Sequence, residues 1–292
     1  MGSTTVIAAC SGGVDSTVCA ELARRAIGEN LITVFLDDGM RREGEREGVV
    51  ELLERMDLHV VAVEASERFY KALGGIQDAE EKRRAFRDAF YSTLAETAHA
   101  LGAEFLIQGT IAADVVETVG GIKTQHNVLK QIGIDPSKYG FKVLEPLAEL
   151  YKPQVRQVAL GLGLPREICE SMPFPGPGLA IRVVGEVTPQ RVRAVRAATR
   201  IVEEETSGMG AFQAFAVLIP ARVTGLAGGK RTYGEVVAIR IVQSDDALTA
   251  RVVDVPIAKL TRTATRIVQE VDGVGRCVYD VTDKPPATIE YE

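Results

Sequence analysis

The sequence predicts an α/β fold, a doubly wound parallel sheet joined to a smaller C-terminal α+β domain. Three observations carry that expectation. Strand-sized apolar runs alternate with amphipathic helical stretches through the first half of the chain. Three polar clusters, residues 11–16, 37–39 and 108–114, follow such runs, where open parallel sheets place their ligands. The segment Pro173-Phe174-Pro175-Gly176-Pro177-Gly178 can neither continue a helix nor sit in a central strand, so it marks a domain boundary. The expected division is residues 1–172 and 173–292.

Val6 to Cys10 reads as the first strand, and a helix follows from Ser16 to Ile27. Leu31 to Leu36 is a second buried strand, ending in Asp37-Asp38-Gly39. Glu43 to Met56 has Val49, Leu52, Leu53 and Met56 on one helical face, and His59 to Val63 is a third strand. A long helix from Ala79 to Leu101 carries Phe86, Phe90, Leu94, Ala98 and Leu101 as its buried stripe. Glu104 to Ile107 is the fourth strand and leads into Gln108-Gly109-Thr110. In the second domain, a helix from Pro189 to Thr206 turns Val192, Val195, Thr199 and Val202 inward. Two β-rich stretches follow, Ala211 to Arg222 and Thr232 to Val242, then a helix from Pro256 to Val271 and a strand from Arg276 to Val281. No repeat or low-complexity tract interrupts them.

Composition narrows the functional classes. With 46% hydrophobic and 25% charged residues, the 292-residue chain has the make-up of an average soluble globular protein. Its apolar runs fall far short of the roughly 20 residues that span a bilayer, and Met1 to Thr5 lacks a secretory leader's features, so no membrane association is expected. Cys10, Cys19, Cys169 and Cys277 are scattered, which points to a reducing, cytoplasmic compartment rather than to zinc or disulfides. A net charge of −6 repels a phosphodiester backbone, and no Trp is present to stack on bases, so nucleic acid is not an expected partner.

Ser11-Gly12-Gly13-Val14-Asp15-Ser16 carries the clearest chemistry. Glycines let the backbone approach a polyanion, and the N–H groups of a helix start favour negative charge. No Lys-Ser/Thr pair ends the loop, so it is not the ordinary NTPase P-loop. The plainer account is a glycine turn with Asp15 or Ser16 as helix cap. Asp15, Asp37, Asp114 and Glu117 are carboxylates suited to a hard cation; a turn or cap role for Asp37, and a solvated loop or helix start for Asp114 and Glu117, are the competing accounts. Lys123 and His126 lie in a polar, glycine-flanked stretch that reads either as a catalytic lid or as a flexible loop. Lys284 and Thr288 can bind a nucleotide monophosphate, or can belong to a tail pairing at a dimer seam. His59, His99 and Cys10 carry no constellation and read as structural.

The Ser-Gly-Gly-x-Asp-Ser pattern resembles the pyrophosphate loop of the ATP pyrophosphatase superfamily, whose fold is the adenine nucleotide alpha-hydrolase-like sheet. More specifically, the chain resembles the ATP pyrophosphatase subunit of the GMP synthetase family. The resemblance rests on residues 11–16, Asp37-Asp38-Gly39, Gln108-Gly109-Thr110 with Asp114, and Ile122 to Val128. Pro173 to Arg182 and the tail Lys284 to Glu290 are its most specific parts. It implies that ATP adenylates the C2 oxygen of xanthosine monophosphate (XMP) and that ammonia then displaces AMP to give GMP. It also implies Mg²⁺, dimerisation through the C-terminal domain, and a separate glutamine amidotransferase supplying ammonia. By residue, it implies ATP binding by Ser11, Gly12, Gly13, Val14, Asp15, Ser16, Asp37, Gln108, Gly109 and Thr110. Catalysis falls to Asp15, Lys123 and His126, and metal binding to Asp15, Asp114 and Glu117. Arg182, Lys284, Thr288, Ile289 and Glu290 would bind the substrate, and dimer contacts would order the tail.

Several positions depart from the family pattern. Gln125 replaces the first of two lid histidines, Ser171-Met172 stands for Arg-His, and Ala112-Ala113 replaces an aromatic residue and a proline. Gly228-Gly229-Lys230 and Phe86-Arg87-Asp88 also differ. The ATP loop is intact, and the changes gather where the acceptor would be handled. Three functions therefore stay open: a GMP synthetase subunit, a paralogue adenylating another acceptor, and an ATP-binding partner without turnover.

Overall fold

The computed structural model describes residues 4–112, 114, 139–169, 172–227, 230–245 and 247–292. The chain divides into two compact units. Unit 1 comprises Met1–Gly39, Gly44–Ala72 and Arg83–Gly176; unit 2 comprises Met40–Glu43, Leu73–Lys82 and Pro177–Glu292.

Unit 1 is built on a parallel sheet of β1 (Thr5–Ala9), β2 (Leu31–Asp37), β3 (Val60–Glu64), β4 (Ala103–Ile107) and β5 (Lys142–Leu144). The order is β3-β2-β1-β4-β5, with Ile7 opposite both Ile32 and Leu106. Successive strands run outward from β1 to β3, and β4 then starts on the other side of β1. The β1/β4 boundary is thus a topological switch point, where the loops diverge and leave a crevice. Helices α1 (Val14–Ile27), α2 (Glu45–Arg55), α3 (Ser66–Leu73) and α4 (Ala79–Ala100) supply the crossovers. Beyond β5 lie α5 (Lys152–Leu162) and the short α6 (Arg166–Cys169). Val6, Ala8, Val14, Val18, Ala20, Val155, Ala159 and Ile168 form a continuous core under α1 and α5.

The parallel sheet and its first four strands match the sequence expectation; β5, α3, α5 and α6 do not appear in it. The three-residue β5 is too short for a periodicity signal. Helix α2 starts later than expected because Gly44 is left-handed at its N-cap, φ +70°. On α4 the expected stripe needs correction: Phe90 and Leu101 are only half-buried, while Ala89, Tyr91 and Thr93 are buried.

Unit 2 is an antiparallel hairpin backed by helices. β6 (Gln213–Ala227) and β7 (Lys230–Gln243) pair along their length, and the other edge of β7 takes β8 (Arg251–Val252) antiparallel and β9 (Val274–Tyr279) parallel. α7 (Pro189–Thr206) packs on β6, and α8 (Ile257–Glu270) packs on β9 and α7. Val192, Val195, Thr199 and Val202 are buried as expected, whereas β9 ends before Val281, which is exposed. Two segments from the first half join this unit through hydrogen bonds. Leu179 N–H donates to Met40 O at 2.8 Å, and Gly75 N–H donates to Glu186 Oε1 at 3.2 Å.

An ion network ties α8 to α7. The nearly buried Glu205 receives Arg262 Nε at 2.6 Å and Arg266 Nη1 at 3.0 Å. Burial alone would raise its carboxyl pKa, but the two guanidiniums outweigh that and hold it below the usual 4.5. A depressed folded-state value means the contribution is complete above pH 4.5 and is lost as the pH falls through the folded value. Arg262 is largely exposed, so solvent weakens its share. Glu205→Gln is expected to lower the thermal midpoint by a few degrees at neutral pH, with the gap closing as the pH drops below that window. Melting curves followed by circular dichroism across the pH range check this.

Candidate functional site

Four residues, Cys10 to Gly13, turn the chain from β1 into α1. At Gly12 φ is +80°, and a Cβ there would lie 2.5 Å from Val49 Cγ2, so this position needs glycine. Ser16 braces the turn: its Oγ donates to Gly13 O at 3.0 Å, accepts the Ser11 N–H at 3.2 Å and lies 3.3 Å from Ser11 Oγ. Gly13 is the N-cap and brings no side-chain acceptor to the first N–H groups of α1. The result is a braced loop at a helix start, a cradle suited to phosphate oxygens. Val14 is buried beneath it.

The turn after β4 closes one side. A Cβ on Gly109 would sit 2.7 Å from Ser16 N and 2.8 Å from Asp15 C, both backbone atoms. Gln108 is buried, its Nε2 2.9 Å from Tyr91 Oη on α4 and its N–H donating to Leu144 O at 2.9 Å. Thr110 Oγ1 donates to Glu145 Oε1 at 2.7 Å. The side chains of Gln108 and Thr110 thus fix the turn, and Gly109 presents backbone to the loop.

Asp15 is the charged centre. Its Oδ2 accepts from Lys152 Nζ at 2.5 Å, while Oδ1 is buried with no hydrogen-bond partner among the described residues. Burial raises the Asp15 pKa against the pull of Lys152, and the neighbouring charge of Asp114 adds to the rise. Lys152 opens α5, whose start is fixed by Pro153 and by Gln154 Oε1 accepting the Tyr151 N–H at 2.8 Å. Sequence reasoning missed Lys152 because it missed β5; a lysine shortly after a strand end at this edge was the available signal. Asp114 Oδ2 accepts the Ile111 N–H at 3.0 Å. Asp37 closes a turn by accepting the Gly39 N–H at 3.0 Å, with Arg46 3.5 Å away, so the turn role is present in the structure. Burial raises the Cys10 thiol pKa and pushes Cys19 up to about 12, so both stay protonated at neutral pH. Glu117, Lys123, Gln125, His126, Ala113 and Ser171 lie outside the described residues.

Unit 2 holds the other named residues. Arg182 is buried, faces Glu290 in a bidentate pair at 2.9 and 3.0 Å, and lies over the Phe215 ring at 3.9 Å. Lys284 pairs with Ala250 through backbone bonds, and its Nζ donates to Ala247 O at 2.7 Å. Thr288 O accepts from the buried Arg240, and Thr288 Oγ1 donates to Glu290 O. Ile289 joins a core with Phe215, Val217, Ala238, Val242 and Ala250. These contacts hold the tail to the core of its own unit.

Residues 1–176 match the family model described as NAD synthase, and residues 200–291 the one described as GMP synthase C terminal domain. A glutamine-hydrolyzing GMP synthase subunit of Archaeoglobus fulgidus is 52% identical over 287 residues, 98% of this chain and 92% of that protein. The chain belongs to the GMP synthase family. The corresponding subunits of Pyrococcus furiosus and Methanopyrus kandleri are 50% and 49% identical, covering all of this chain and 93% and 94% of theirs. In this family member the braced loop falls in the first matched region and the 284–290 tail in the second; Arg182 lies between them.

Because the Gly109 gap is set by backbone atoms, Gly109→Ala must displace the first turn of α1. Inorganic pyrophosphate affinity is expected to fall by about tenfold or more, for a stability cost of about 1–3 kcal/mol. Calorimetric titration on folded protein checks it; wild-type affinity would remove the loop from the anion site.

Proposed function

We propose that this subunit adenylates the C2 oxygen of XMP with ATP, releasing pyrophosphate, and that ammonia then displaces AMP to form GMP. The observation that carries the reading is the braced 11–16 loop with Asp15 at its floor, in a chain whose relatives are named GMP synthase. Ser11, Gly12, Gly13 and Ser16 bind the leaving pyrophosphate of ATP through backbone N–H groups and hydroxyls. Lys152 balances Asp15 and places a cation beside the charge that develops on the departing phosphates. Among described residues no cluster of three metal-ligating side chains occurs, but the unpartnered Asp15 Oδ1 fits a hard cation, with Asp114 and Glu117 as further carboxylates. These carboxylates would hold Mg²⁺, which would supply charge neutralisation of the triphosphate. Lys123 and His126 act as lid residues, the lysine on phosphate charge and the histidine on a proton. Arg182, Lys284, Thr288, Ile289 and Glu290 receive the nucleotide monophosphate.

Ammonia comes from a separate glutamine amidotransferase, consistent with relatives that are each named as one subunit of a glutamine-hydrolyzing GMP synthase. Unit 2 carries the homodimer contact; the exposed Leu226, Ile257 and Val281 there support it. The compartment is the cytoplasm, in keeping with four free cysteines and no described helix able to cross a membrane. Nucleic acid is not a partner.

Protein supplied with MgATP, XMP and concentrated ammonium is expected to form GMP, AMP and pyrophosphate in equal amounts without a second subunit. Lys152→Met should lower turnover about 100-fold, with Lys152→Arg partly restoring it. Chromatographic product quantification decides the matter. ATP consumption without GMP would point to another acceptor, and full activity in Lys152→Met would remove that lysine from the chemistry.

A further inference from the structure

Lys82, in the first turn of α4, has a fully buried side chain. Its Nζ donates to Val183 O at 2.7 Å and pairs with the Glu292 carboxylate. The other carboxylate oxygen of Glu292 accepts the Gly185 N–H at 2.9 Å. Desolvation lowers the lysine pKa, so the pair stands against a real burial penalty. Such a pair adds little net stability compared with apolar side chains of equal volume; what it fixes is register. The registers at stake are specific. Val183 directly follows Arg182, and Glu292 stands two residues beyond Glu290, so one ammonium holds both segments that meet in the Arg182–Glu290 pair.

We propose that Lys82 is a positioning residue for acceptor binding. Through Val183 and Glu292 it sets the segment carrying Arg182 and the tail carrying Lys284, Thr288 and Glu290 in the arrangement that receives the nucleotide. Val183 also bridges to Leu218 of β6, which anchors the clamp to the unit 2 sheet. The inference rests on the reading that this tail binds XMP.

The test uses the full chain as Lys82→Met, Glu292→Gln and the double variant. XMP and ATP affinities are measured by calorimetry, steady-state constants with ammonium, and backbone hydrogen exchange by mass spectrometry. Lys82→Met is expected to weaken XMP binding and raise its KM by about tenfold, with ATP affinity and kcat within about twofold of wild type. Glu292→Gln should move XMP affinity the same way, and the double variant should be no worse than Lys82→Met, because the two act as one unit. Exchange should rise in residues 183–185 and 284–292. A folded Lys82→Met with wild-type XMP affinity would overturn the proposal, as would unchanged exchange in both segments. Should Lys82→Met fail to fold, Glu292→Gln alone decides, since it keeps the lysine and the Gly185 acceptor. Wild-type protein that binds no XMP would overturn the acceptor reading instead, and the exchange measurement would then decide the clamp.

Discussion

The turn after β4 and the first turn of α1 approach more closely than a side chain allows: a Cβ on Gly109 would fall 2.7 Å from a backbone nitrogen of the loop. That approach follows from the sheet order. β1 and β4 are direct neighbours, so the segments leaving their carboxyl ends must share one edge. With Gly109 against Ser16 and Val49 over Gly12, the loop is confined from two directions. Ser16 then locks it from within, and the N–H groups of α1 are held without a competing cap. Such preorganisation favours electrostatic catalysis, because the donors need not reorganise as charge develops.

Charge at the cradle is arranged with the same economy. Removing a carboxylate from water costs free energy unless it is paired, and the half-buried Asp15 has one oxygen satisfied by Lys152 and one without a protein partner among the described residues. Unit 2 shows the contrasting case. Arg182 and Glu290, Arg240 and Asp280, and Lys82 and Glu292 are mutually paired, and they pin the tail onto the sheet of that unit.

Much of this was legible in the sequence because it is local. The β1–loop–α1 unit is specified by an apolar run, two glycines and a helix start, all within a dozen residues, and the structure reproduces it. The inward face of α7 was readable for the same reason. What the sequence concealed is long-range or short. Lys152 reaches Asp15 across 137 positions, after a three-residue strand with no periodicity to reveal it. Lys82 sits in a charged Glu-Glu-Lys-Arg-Arg stretch that resembles a solvated helix face, yet it is buried against Val183 O and Glu292, both more than 100 positions away. The tail's two prolines suggested fraying, whereas the buried Ile289 holds it to the unit 2 core.

The central claim is that the α-phosphate of ATP is transferred to the acceptor oxygen, with pyrophosphate left in the loop. XMP labelled with oxygen-18 at C2, turned over with MgATP and ammonium, tests this bond by bond. Adenylation of that oxygen requires the label to leave with AMP, so mass spectrometry should find labelled AMP, unlabelled pyrophosphate and GMP free of the isotope. Label appearing in pyrophosphate or inorganic phosphate, or AMP formed without it, would contradict the account.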